Sequence, residues 1–147
     1  MERVVRLDYA PRKPFKPYHA RSQRFACIIA HRRAGKTVAV LNDLIRECLR
    51  SPKPDWRAAY IAPFYKQAKS IAWDYIRRFA APIEGVNFNE SELRFDLPNG
   101  ARLRLFGADN PDALRGLYFD DVVLDEPADM RARVWGEIVS PALADRQ

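Results

Sequence analysis

Residues 25–30, FACIIA, form a short apolar run rich in β-branched and aromatic side chains. Such a run predicts a strand buried on both faces of a parallel sheet. From Lys36 to Arg50 the positions Val38, Leu41, Leu44, Ile45, Cys48 and Leu49 recur at helical spacing, and Ser51, Pro52 and Pro54 end the helix. The order strand, loop, helix then repeats. RAAYIAP over 57–63 predicts a strand, and residues 66–80, with Ile71, Trp73, Ile76 and Phe79, predict an amphipathic helix that stops near Pro82. Two such units in succession predict parallel pairing.

The next stretch breaks the alternation. LRFDL over 93–97 and ARLRLF over 101–106 alternate apolar with polar around Pro98, Asn99 and Gly100, the signature of a β-hairpin with one wet face. After the polar connection GADNPDALRG, the run Val122, Val123, Leu124 predicts another buried strand that ends in Asp125 and Glu126, and a last helix is expected around 131–144. There is no internal repeat or low-complexity tract. The fold class is therefore α/β, a mainly parallel sheet flanked by helices with an inserted hairpin.

Composition narrows the class. The chain has 147 residues, enough for one ordinary domain. No apolar stretch is long enough to cross a bilayer, and the N-terminus MERVVRLDYAPRKP lacks the apolar region of a signal peptide, which predicts a cytoplasmic protein with no membrane partner. Cys27 and Cys48 form no framework of paired cysteines, and His19 and His31 stand alone, so neither a disulfide scaffold nor a zinc site is expected. The net charge of +6 is concentrated at the start: residues 1–33 hold nine Lys or Arg against Glu2 and Asp8. The segment PRKPFKPYHARSQR can attract phosphates, and it reads equally as a solvated arm stiffened by proline.

Candidate chemistry sits in two places. The loop between the first strand and helix, AHRRAGKT, fits G-x-x-x-x-G-K-[ST] at Gly35, Lys36 and Thr37, with Ala30 in place of the first glycine. Such a loop wraps backbone N–H groups of Arg32, Arg33, Ala34 and Gly35 around phosphate oxygens. It aims a helix N-terminus at them, sets Lys36 on the outer phosphates and offers the Thr37 hydroxyl to Mg²⁺. Ala30 is acceptable there if its φ stays negative. The second place is VVLDE, where Asp125 and Glu126 follow a buried strand, at the sheet edge where α/β proteins bind ligands. Asp125 suits a metal, directly or through water, and Glu126 suits activation of a water. One of Arg32 and Arg33 is expected to face solvent or pair with Asp120, Asp121 or Asp129.

Taken in order, HRRAGKT, YIAPFYKQA, a hairpin followed by LRG, and RGLYFDDVVLDEPADM before VWGEIVSPAL resemble the large terminase subunits of tailed bacteriophages, over nearly the whole chain. The resemblance implies an ASCE-type P-loop NTPase that binds ATP and Mg²⁺. It gives Lys36 and Thr37 to phosphate and metal, Arg33 to the γ-phosphate, Asp125 to the metal and Glu126 to catalysis. It makes Arg115 an arginine finger that reaches a neighbouring subunit, against the alternative of a pair with Asp109, Asp112 or Asp120. Double-stranded DNA, a small terminase subunit, a portal and a ring of identical subunits are the implied partners.

The sequence also departs from the pattern. The family's upstream adenine-reading Gln has no clear counterpart, only Phe15 or an out-of-place Gln23. The implied coupling strand and nuclease domain would follow ALADRQ. The expectation is thus a basic arm over 1–24 and a partial P-loop ATPase domain over 25–147, incomplete at the C-terminus. Without a central strand its sheet edges would be exposed, and the chain alone is expected to be marginally stable and weakly active. Two alternatives stay open: a truncated remnant that binds nucleotide or partners without catalysis, and another P-loop DNA translocase or helicase.

Overall fold

In the computed structural model, which describes residues 5–144, five strands form one sheet in the order β2-β3-β4-β1-β5. These are β1 (Arg57–Ala62), β2 (Asn87–Asn89), β3 (Arg94–Asp96), β4 (Arg102–Gly107) and β5 (Asp121–Leu124). β1 pairs in parallel with both β4 and β5, and the hairpin β3–β4 is antiparallel, with Phe95 opposite Leu103. The hairpin turn brings Gly100 against the Pro54 carbonyl, where an added Cβ would sit 1.8 Å from the oxygen, and its φ of +86° suits glycine. The short β2, which sequence pattern did not reveal, extends the hairpin outward.

The alternation along β1 explains why both faces of the sheet are covered. Ala58, Tyr60 and Ala62 face a layer made by α2 (Lys36–Arg50) and by the helix α3 over residues 65–80, with Leu41, Leu44, Ile45, Trp73 and Ile76 in its core. Ala59 and Ile61 face the other layer, where Val134, Ile138 and Val139 of the C-terminal helical segment pack with Leu114 and Phe119. A continuous apolar strand is the expected result of burial from two sides. α3 contains a π-type turn over Ala68–Ala72, and the C-terminal segment another over Val134–Val139. No helix among the described residues is long and apolar enough to cross a membrane.

Two expectations are corrected. Residues 25–30 form no strand: the segment pairs with no neighbour among the described residues, and Phe25 and Ile29 are 64% and 94% exposed. A run of β-formers acquires a ladder only if a strand edge lies within about 5 Å. Here residues 25–28 and residues 121–126, which comprise β5 and the two residues after it, line a cavity of about 390 Å³ instead of pairing across it. The basic arm is not a solvated tail either. It makes a helical turn (Lys13–Phe15, then α1, Lys16–His19), buries Phe15 and lays Leu7, Tyr9 and Tyr18 on the core. Met1–Val4 and Asp145–Gln147, which fall in the arm and in the terminal ALADRQ, lie outside the described residues.

Candidate functional site

The loop that enters α2 is shaped by two residues of positive φ, Arg33 at +62° and Gly35 at +98°. Ala30 is not among the residues of positive φ, so the methyl that replaces the first glycine is accommodated. The arm braces the loop from behind: Arg12 Nη1 donates to the Ala34 carbonyl at 3.1 Å, and a Cβ on Gly35 would lie 3.6 Å from that nitrogen and 3.7 Å from Phe15. α2 then starts at Lys36 with no acidic residue in its first turn, which leaves the partial positive charge of its N-terminus uncompensated.

The Lys36 ammonium closes over the loop and donates to the carbonyls of Ala30 at 2.6 Å and His31 at 3.0 Å. These acceptors are neutral, so the charge itself is not balanced. Arg32 and Arg33 are exposed and make no ion pair among the described residues. They face solvent, the first of the two outcomes expected, and neither pairs with Asp120, Asp121 or Asp129. Asp120 is taken by Lys53 at 2.9 Å and by the Arg57 N–H at 2.8 Å, just before β5 and so at the opposite end of that strand from Asp125.

At the other end of the site, the Asp125 N–H donates to the Ile61 carbonyl at 2.9 Å and so continues the β1–β5 ladder by one residue. Glu126 follows with φ +51°, a left-handed step that turns the chain out of the sheet and leaves its side chain exposed. The Asp125 carboxylate accepts a hydrogen bond from the Tyr60 phenol, and Thr37, at the start of α2, lies near the same phenol. Burial, then the contact with Asp125, pushes the Tyr60 phenol well above its ordinary range. Lys36, Asp125 and Glu126 line one cavity.

The structure thus brings Lys36, Thr37, Asp125 and Glu126 together and leaves Arg115 apart. Arg115 follows the turn Pro111–Leu114 and lies beside Asp112, Nε to Oδ1 3.2 Å, one of the pairings open from sequence. Three participants were not legible. Tyr60 looked like an ordinary core position of β1, and Arg12 like one cation among many in the arm. Asp121, which also lines the cavity, figures in the sequence only as a pairing option for Arg32 or Arg33; burial and the nearby Asp43 carboxylate push it up to about 6, against the opposing pull of Arg21.

Asp125 at the end of β5 and Thr37 at the start of α2 supply hard oxygen donors, which fits a small divalent cation. An uncompensated helix N-terminus and three cations beside them fit an anion.

Several known proteins are similar to the chain. A terminase large subunit of Thermus virus P23-45 is 30% identical over 90% of the chain, and that of Thermus phage G20c is 29% identical over 90%. The chain spans about a third of the length of these relatives, 32% in both cases. The ATPase domain of the large terminase of Thermus phage P74-26, in an arginine-to-alanine mutant, superimposes with a TM-score of 0.76 at 27% identity, over 95% of this chain and 63% of that one. An open α/β sheet flanked by helices is the architecture the two share. The family described as "Terminase large subunit, T4likevirus-type, N-terminal" matches residues 27–139, from the loop that precedes α2 to the helical segment beyond Asp125, and the chain belongs to that family.

Proposed function

We propose that this chain is the ATP-binding and hydrolysing portion of a viral DNA-packaging motor. The observation that carries the reading is the shared cavity: Lys36 at the start of α2 and the Asp125–Glu126 strand end face one space, with Asp125 held by the Tyr60 phenol.

On this reading the backbone N–H groups of Arg32 to Gly35 and of the first turn of α2 receive the phosphates, and the Lys36 ammonium exchanges its two carbonyl acceptors for anionic oxygens. Arg33, exposed on the loop, reaches the terminal phosphate and Arg32 adds to the field. Thr37 and Asp125 would hold Mg²⁺. When bound, that ion neutralises charge on the β- and γ-phosphate oxygens. Glu126, exposed beside Asp125, orients the attacking water and takes its proton. Arg115 acts on the nucleotide of a neighbouring subunit in a ring, where a fixed planar charge stabilises the transferring phosphoryl group. Double-stranded DNA is the translocated partner, a small terminase subunit and a portal complete the machine, and it works in the host cytoplasm.

Binding of a fluorescent, non-hydrolysable ATP analogue tests the site. The parent chain is expected to bind it, and Lys36→Ala to lose at least tenfold in affinity. Equal affinity of the two would overturn the reading.

A further inference from the structure

We infer that Tyr60 is a positioning residue that aims the carboxylate of Asp125 at a divalent cation held between the end of β5 and the start of α2, an inference that rests on the nucleotide reading above.

The placement follows from register. Tyr60 lies opposite Val123 in the parallel pair β1–β5, so Asp125, two residues further along, projects from the same face of the sheet. A diagonal neighbour of that kind is within reach of a long aromatic side chain and of few others. α2 packs on that same face, and Thr37 is its second residue. The Tyr60 hydroxyl therefore stands where strand end and helix start meet, while the ring, 2% exposed, is fixed in the core.

Proton direction gives the arrangement its use. The Tyr60 hydroxyl donates its hydrogen to Oδ2 of Asp125. That hydrogen is thereby consumed inside the protein. Asp125 keeps Oδ1 as a free acceptor, near the start of α2 where Thr37 lies. A cation requires acceptors with no hydrogen turned toward it, so the phenol prepares the carboxylate for one. Hydrogen bonds behind metal-ligating carboxylates commonly account for about 10- to 100-fold in metal affinity.

Removing only the hydroxyl tests this. Tyr60→Phe keeps the ring and its packing. Affinity for the fluorescent ATP analogue is measured in EDTA and across a Mg²⁺ titration, with thermal melting as a check on folding. The expected result is unchanged affinity in EDTA and an increase of roughly tenfold in the Mg²⁺ concentration needed for half of the metal-dependent gain. In an Asp125→Asn background the same substitution is expected to add nothing further, because the group it positions is gone. A Mg²⁺ requirement equal to that of the parent chain, or a lower one, overturns the inference. So does loss of a cooperative melt in Tyr60→Phe, which would make the phenol a folding element. These failures are distinct from failure of the nucleotide reading, which shows in Lys36→Ala and leaves no metal-dependent binding to compare.

Discussion

Arg21 of the N-terminal arm places its Nη2 2.8 Å from Oδ2 of Asp43, a carboxylate only 1% exposed in the middle of α2. Oδ1 of the same carboxylate takes Arg46 at 2.6 Å and His19 Nδ1 at 3.2 Å. The positive charge of the leading segment is thus spent partly inside the molecule, on one buried acid that ties arm to helix. Truncating one partner of a buried ionic cluster leaves the others uncompensated. Asp43→Ala is expected to destabilise the chain by about 3 kcal/mol and Arg21→Ala by less, because Arg46 still serves the carboxylate. Urea denaturation of the two variants checks the order, and equal stability of Asp43→Ala and the parent chain would refute it.

Asp121 makes stability depend on pH. Its folded value of about 6 lies above its ordinary 3.8, so the folded chain holds that proton more tightly than the unfolded chain does. The resulting stabilisation is complete below the ordinary value and is lost as pH rises through the folded one. Between these values stability should fall by on the order of 2 kcal/mol, discounted for the partial exposure of the residue. Asp121→Asn cannot ionise and should flatten this part of the profile. Denaturant midpoints taken through that range measure the slope. The same slope in Asp121→Asn would assign it to another group.

Much of this architecture was legible before any coordinates. The helix starting at Lys36, the strand that contains Tyr60, the hairpin around Asn99 and the strand that ends at Asp125 all follow from local periodicity and turn chemistry. What escaped depends on contacts distant in sequence. FACIIA has the composition of a buried strand, but composition cannot tell whether a neighbouring edge stands at ladder distance. Asp43 belongs to the polar face of α2 by spacing and becomes buried only because the arm lies over that face. The bond from Tyr60 to Asp125 joins residues 65 apart, beyond any local pattern. Both candidate motifs could be read, whereas the phenol bonded to Asp125 could not.

Arg115 offers a clean separation of structure from function. Its pair with Asp112 joins side chains 57% and 83% exposed, an arrangement that contributes little in water. Arg115→Ala is therefore expected to change stability by no more than about 0.5 kcal/mol and to leave ATP-analogue binding intact. If Arg115 serves a neighbouring subunit, turnover in the assembled ring should fall by about 10³-fold. Turnover at the parental rate would return this residue to a surface role.

Glu126 and Asp125 are adjacent carboxylates to which the proposed function gives different duties, and their backbones already differ. Asp125 continues the ladder and is held by Tyr60, whereas Glu126 leaves the sheet through a left-handed residue and is exposed at the cavity rim. A carboxylate fixed by a phenol suits a metal, and one on a turn suits a mobile water. Glu126→Gln keeps size and hydrogen-bonding capacity but cannot accept a proton. It is expected to bind the ATP analogue with Mg²⁺ as the parent chain does, while phosphate release falls about 10²- to 10⁴-fold. Asp125→Asn should instead lose the Mg²⁺-dependent part of binding. Swapped outcomes, with the Glu126 variant losing metal-dependent affinity and the Asp125 variant losing only turnover, would reverse the assignment. The two roles therefore separate in a binding assay before any rate is measured.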